Sequence, residues 1–308
     1  MSVSYGTDWY VDANAANDDG NGFTPDTAKK TLRGIMTCPG LLAGDTVHVA
    51  EGTYNEGEMS PEKFFLTEKK FNVNSRVTVR SGVTVEATGD KTKTLIVGAA
   101  APGEAEKGLA VGALRCATVL SGGTLRGFTL KDGHTDMEWN SGNGSGAGVI
   151  ADPDGVVEDC VITNCVGAKS IVFWGFSQRN KFVGNTTSGA IEHRGYHSSE
   201  LILNNTCGTF GTDDGWYFFS TFAGNAKSAG ADEFVNFYKS ESVYGSIVVG
   251  GRCARVMTAD IGNFYWEQST YASMSEDSTK ADPLLADAAN GDCRPYVYSP
   301  SIGACPND

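Results

Sequence analysis

One short phrase recurs between Val156 and Lys239 at a nearly fixed interval, and no other feature of the chain restricts its fold as strongly. Its copies read CVITNC (Cys160 to Cys165), KFVGNT (Lys181 to Thr186), LILNNT (Leu201 to Thr206) and STFAGNA (Ser220 to Ala226). The asparagines Asn164, Asn185, Asn205 and Asn225 fall 21, 20 and 20 residues apart, each just after a short apolar or β-branched run. A period near twenty is a solenoid period.

Each copy reads as a short strand ending in a turn, and its alternating residues can bury only one face. A single unit therefore cannot stand alone. Stacked circuits would pair their strands in parallel at roughly 4.8 Å and join their inner faces into one core. Asparagine suits the turn, because it tolerates left-handed backbone angles and its amide can bond local backbone. Stacked copies could also bond one another as a ladder. The alternative, four unrelated Asn turns in a β-rich chain, leaves the near-equal intervals unexplained.

The composition agrees with one elongated, turn-rich domain: 308 residues, 39 of them Gly, with 40% hydrophobic content. A formal charge of −13 argues against a phosphate-binding surface, so nucleic acid is not the expected partner. No apolar run approaches the roughly 18 residues that span a bilayer, so membrane insertion is not expected. Met1 to Thr7 lacks the charged start and apolar stretch of a signal peptide. Either the protein is intracellular, or a signal has been removed. The eight cysteines contain no CxxC pair of zinc or thioredoxin type. Cys160 falls in the column of Phe128 and reads as a buried thiol. Cys293 and Cys305, in a tail with little periodicity, form the best candidate disulfide.

From the start, DWYVDANAANDDGNGFTPDTAKKTL (Asp8 to Leu32) gives a strand, an Asp/Asn/Gly loop and a helix start capped by Asp26 or Thr27. The loop fails the spacing of an EF-hand calcium loop, since Ala16 and Asn17 stand at its fifth position and its required glycine. It reads as a solvated turn. Then follows GDTVHVAEGTY (Gly44 to Tyr54), a strand of alternating residues.

These phrases resemble the N-terminal cap and first coil of secreted right-handed parallel β-helix proteins, the pectate-lyase-like superfamily. The far end agrees, since ADPLLADAANGDCRPYVYSPSIGAC (Ala281 to Cys305) is similar to the closing segment of many such proteins. TLRGFTLKDG (Thr124 to Gly133) resembles the family's strand-turn phrase. The resemblance implies an all-β, right-handed parallel β-helix with an N-terminal helix cap and an irregular C-terminal segment. It also implies export to the cell surface or medium and a polysaccharide or glycan partner. It is specific for fold and weak for activity, because the superfamily hosts lyases, hydrolases, adhesins and spikes. On this reading residues 8–45 are the cap, 46–270 about ten coils, and 271–308 a capping segment. The Gly/Ser/Asn-rich stretch from His134 to Gly146 interrupts the period and reads as a loop projecting from one edge.

Aligning the copies on their asparagines indicates which residues stack. Eight residues after each Asn stand Val172, His193, Asp213 and Glu233, flanked by Arg194 and Asp214. Tyr196, Trp216 and Tyr217 lie one strand further on, with Tyr238 and Lys239 in the next copy. Two reactions could use such a patch. Carboxylates on adjacent coils, about 5 Å apart, or two coils apart, about 9.5 Å, bracket the separations of retaining and inverting glycosidases. For β-elimination of a polyuronate, Asp213, Asp214 and Glu233 could hold calcium through oxygen ligands. His193 or Arg194 would then serve as base. In both, the aromatics would stack on sugar rings. Two other readings stay open: neighbouring His, Arg and Asp simply pair across coils, or the protein is a non-catalytic glycan-binding or structural surface protein. The family's Gly-His-Gly and Arg-Ile-Lys motifs are absent.

Overall fold

The computed structural model describes residues 6–60, 73–103, 106–137, 142–212, 215–227, 235–237, 242–250, 259–266, 276–287, 292–295 and 298–299. Nearly every strand in them pairs in parallel with strands about one period away, so the chain is a parallel β-helix. The first sheet has ten strands, beginning with Asp8–Val11, Thr46–Val49 and Thr84–Ala87 and ending at Ala259–Ile261. A second ten-stranded sheet runs from Gly52–Tyr54 to Thr279–Lys280, and a third, of seven strands, spans Asn74–Val79 to Val235–Phe237. A narrow fourth sheet holds two-residue strands such as Val166–Gly167 and Thr186–Thr187.

Three of the corners that set the period of twenty are each made by a residue with positive φ. Between the first and second sheets stand Asp159, Arg179, Ser199 and Phe219, at φ 54°, 54°, 56° and 52°. The next corner has Asn164, Gly184, Asn204 and Gly224, and the third has Trp174 and Arg194, both at 61°. This corrects the alignment. Asn164 occupies a left-handed corner position equivalent to Gly184, while Asn185, Asn205 and Asn225 stand one residue later, level with Cys165. Counted from Cys165, every interval is 20, and the single interval of 21 was the mark of the slip.

Behind that corner the amides form the expected ladder. Asn185 Oδ1 accepts from Cys165 N at 2.9 Å, Asn205 Oδ1 from Asn185 N at 3.0 Å, and Asn225 Oδ1 from Asn205 N at 2.9 Å. Asn185 and Asn205 are each 1% exposed, so groups with no access to water are satisfied within the protein. A second buried column lies behind the first corner, where Cys160, Asn180, Glu200 and Ser220 follow one another at the same period.

Apolar side chains fill the space between the sheets. The second sheet stacks Ile96, Leu130, Ile162, Phe182, Ile202, Phe222, Val248 and Tyr265, all fully buried and in register. Each such side chain contributes about 1.5–3 kcal/mol relative to exposure. The first sheet's inner column begins in the same way, with Val47, Val85, Leu125 and Val157, but continues as Ser177, His197 and Tyr217. Cys160 is fully buried beside Phe128, as expected, and burial pushes its thiol up to about 12.

At the N-terminal end a short helix, Leu32–Met36, covers the first coil with Leu32, Ile35 and Met36. Thr31, not Asp26 or Thr27, is its cap, its Oγ1 accepting from Gly34 N at 2.9 Å. Pro25–Thr27 forms a separate 3-10 turn. In the Asp/Asn loop the Lys29 ammonium donates to the carbonyls of Asp18 and Gly20 at 2.7 and 2.8 Å. Asp45 ties this end together, accepting from Thr7 N at 2.7 Å, Leu42 N at 2.8 Å and Trp9 Nε1 at 3.0 Å. The stretch after His134 does not simply project. Its described part folds back on the third sheet, where the buried Arg115 guanidinium donates to the carbonyls of Val73, Gly142 and Ser145 at 2.6, 2.5 and 2.9 Å. Near the C-terminus Leu285–Asp287 pairs antiparallel with Asp292–Pro295.

Candidate functional site

The outer face of the first sheet carries two different surfaces in succession. Over the first coils it carries charged residues that pair from coil to coil. His48 places Nε2 2.8 Å from Asp8 and Nδ1 3.1 Å from Glu86. Arg126 bridges Glu86 and Glu158 at 2.5 and 3.5 Å, and Arg179 reaches Glu158 at 2.6 Å and Asp159 at 3.0 Å. In this half each cation is shared between acids of neighbouring coils.

From the Phe176–Gln178 strand onward the face becomes aromatic. Phe176, Tyr196 and Trp216 are cross-strand partners on consecutive coils. Their rings stack with centroids 5.2 and 5.9 Å apart and interplanar angles of 12° and 27°. Parallel register places equivalent residues about 4.8 Å apart, a spacing at which rings must stack once one of them turns outward. Trp216 continues to Tyr244 at 6.3 Å, and Phe218 stacks on Tyr244 at 5.1 Å and 8°. Phe176, Tyr196 and Trp216 remain 42%, 46% and 38% exposed, so the stack leaves a ribbon of apolar surface in water.

One edge of the ribbon is cationic. Arg194 sits at the third corner, exposed, with its guanidinium 5.6 Å from the Trp174 ring centroid. That contact holds the side chain beside the ribbon.

Tyr196 and Trp216 thus stand where the sequence placed them, as neighbouring outward rings. Tyr217 does not. It alternates to the inside of the same strand, is fully buried, and stacks on His197 at 4.8 Å, so it is no surface platform. The expected stacking of His193 on Asp213 is also corrected: His193 pairs with Phe173 on one side and Thr212 on the other. Ala190 pairs with Thr209, nineteen residues on, because the corner through Gly208 is one residue shorter. Asp213, Asp214, Glu233, Tyr238, Lys239 and Cys305 lie outside the described residues, and the expected disulfide is corrected at its other end, where Cys293 is a partly buried free thiol. In sequence Asp213 and Asp214 immediately precede Gly215 and the ribbon residue Trp216.

Sequence reasoning missed Phe176, Phe218 and Tyr244. For Phe176 the signal is in the sequence, since Phe176, Tyr196 and Trp216 recur at intervals of 20. It also missed a buried group, Glu192, His197 and Glu200, directly beneath the ribbon.

Sheet order, corners and ribbon define a protein of the parallel β-helix class. No protein-family model matches the sequence, and no curated protein matches it. Among solved structures it is similar to a pectin methylesterase from Erwinia chrysanthemi, at 10% identity over 96% of this chain and 99% of that one, with a TM-score of 0.43. It is similar to a GH136 lacto-N-biosidase from Eubacterium ramulus, at 9% identity over 90% and 67% of the two chains, with a TM-score of 0.41. A rhamnogalacturonan lyase matches at 13% identity over 88% and 75%, with a TM-score of 0.39. At these identities the likeness is one of fold.

Proposed function

We propose that this chain is an extracellular polysaccharide-handling protein that holds an extended glycan along the ribbon formed by Phe176, Tyr196 and Trp216. The observation that carries this reading is their shared exposure and register. Stacked rings facing water leave flat apolar surface uncovered, and the C–H faces of sugar rings are complementary to it. Repetition at a coil spacing suits a repeating polymer better than a small ligand. Arg194 at the ribbon's edge adds a cation suited to an acidic sugar. The structurally similar proteins with carbohydrate-directed names agree with this reading without carrying it.

The proposal extends to cleavage of the bound chain by elimination or hydrolysis. Asp213 and Asp214, beside Trp216 in sequence, and Glu233 would supply carboxylates. His193 or Arg194 would serve as base in elimination, with calcium neutralising the substrate acid. Affinity electrophoresis over a panel of neutral and acidic polysaccharides tests binding. We expect a retarded wild type on at least one polymer, and Trp216→Ala together with Tyr196→Ala to abolish the retardation while circular dichroism stays unchanged. Equal retardation of both proteins refutes the ribbon. On the polymer that binds, reducing-end release and unsaturated-product absorbance separate an enzyme from a binding protein. Asp213→Asn should abolish turnover in either case, and chelation of calcium then separates the two chemistries, stopping an elimination but not a hydrolysis.

A further inference from the structure

The coil from Ala190 to Glu200 departs from its neighbours on the inside. Glu192, His197 and Glu200 are all fully buried, and their potential ligand atoms lie within 4.8 Å of one another. His197 Nε2 is 2.8 Å from the Arg194 carbonyl oxygen. A carbonyl only accepts, so this nitrogen carries the proton, and a neutral ring directs the Nδ1 lone pair inward. Facing that lone pair are Glu192 Oε1 at 2.7 Å and Glu200 Oε2 at 3.8 Å.

The other oxygen of Glu200 is held in place, accepting from Ser177 Oγ at 2.5 Å and Asn180 Nδ2 at 3.3 Å. By contrast, apart from contacts among Glu192, Glu200 and Ser177 themselves, no N–H or O–H donor of the protein is aimed at Glu192 Oε1, Glu192 Oε2, Glu200 Oε2 or His197 Nδ1. Four potential ligand atoms converge, and two of the groups are acids removed from water. Glu192 pairs with Val172 on one side and with Gly211, which has no side chain, on the other.

We propose that Glu192, His197 and Glu200 bind one divalent first-row transition metal ion of the zinc type inside the β-helix, as a structural ion. One imidazole nitrogen and two carboxylates are a ligand set for such a cation, and its charge matches that of two carboxylates. At zinc bond lengths the ligand atoms of a tetrahedral site stand roughly 3.3 Å apart, within the range between the 2.7 and 3.8 Å contacts here. Arg194 O behind the imidazole, and Ser177 with Asn180 behind Glu200, are the outer partners that fix the tautomer and aim a carboxylate. The second oxygen of Glu192 can complete the coordination. A site this enclosed takes up its metal as the chain folds.

The test uses the full chain, unfolded in guanidinium with EDTA and refolded with zinc, with cobalt, or with neither. We expect about one zinc per chain after exhaustive dialysis, a visible absorption band from tetrahedral cobalt, and a melting temperature several degrees higher with metal than without. Glu192→Gln, nearly isosteric, should retain a fold by circular dichroism and lose at least about tenfold in retained zinc. Zinc retained at under roughly a tenth of an equivalent, with colourless cobalt protein and a metal-independent melt, overturns the proposal and leaves protons as the species that neutralise the cluster. Because the cobalt band is read on the wild type, misfolding of the variant would not obscure the outcome.

Discussion

Asn185 directs its backbone N–H and its side-chain Nδ2–H at one atom, Oδ1 of Asn205, at 3.0 and 2.9 Å. Asn205 repeats the arrangement toward Asn225 at 2.9 and 3.0 Å. One carbonyl oxygen thus serves two donors; removing it leaves the Asn185 N–H without this partner and its Nδ2 with Ile162 O alone, at 2.9 Å.

Asn205→Leu should therefore cost about 1–3 kcal/mol per buried group left unpaired, read as a lower urea midpoint. Asn164→Gly is the control, because Asn164 is exposed at φ 52° and glycine takes that angle freely. An Asn205→Leu midpoint equal to the wild type would rule out a stabilising ladder.

Asp45 gives the N-terminal end a pH dependence. Burial raises its pKa, but the donors Leu42 N, Thr7 N and Trp9 Nε1 outweigh this and hold it below its ordinary value. A carboxyl lowered on folding stabilises above its unfolded pKa of about 3.9, and that contribution is lost as pH falls through the folded value. Wild-type stability should drop below roughly pH 4 more steeply than that of Asp45→Ala, which should cost about 1–3 kcal/mol at neutral pH. Parallel acid titrations of the two proteins would contradict this.

The inner thiols should be silent. Burial raises Cys160 and Cys207 and holds Cys116 well above the ordinary thiol range. A short iodoacetamide pulse at pH 8, followed by peptide mass spectrometry, should label the partly exposed Cys38 before Cys116, Cys160, Cys165 or Cys207. Equal labelling of Cys160 and Cys38 in the native protein would mean that the coils open far more readily than their packing implies.

Salt should weaken the charged half of the outer face. Glu158 accepts from Gln178 and pairs with Arg126 and Arg179, so Glu158→Gln should cost about 1 kcal/mol at low ionic strength. Near 1 M salt, where the screening length is about 3 Å, most of that difference should vanish. A cost independent of salt would assign the effect to packing.

The repeat made the coil architecture legible because one face of each short strand must be buried and only stacking buries it. Corners were harder to read. Asn164 and Asn185 are the same residue type in different jobs, one tolerating a left-handed backbone and the other bonding the coil beside it. The one-residue slip moved every column drawn from them. Tyr196 and Trp216 survived the slip because they lie twenty residues apart in the correct register, whereas Tyr217 was lost to strand alternation. Nothing in the sequence alone distinguishes Glu200, a buried acid in a column otherwise filled by Cys160, Asn180 and Ser220, from an acid on a solvated turn.

At the second corner Thr186 N donates to Cys165 O, Thr206 N to Asn185 O and Ala226 N to Asn205 O, at 2.9, 2.8 and 2.7 Å. Each seam offers the next coil the same set of bonds, so nothing in it identifies which coil should follow. A twenty-residue segment cut out or duplicated there would meet matching partners on both sides, and the molecule could change length over evolution without relearning how to fold. The Ala190–Glu200 coil is the exception, since a second copy would bring a second set of interior charges. It marks one fixed position in an otherwise extensible stack.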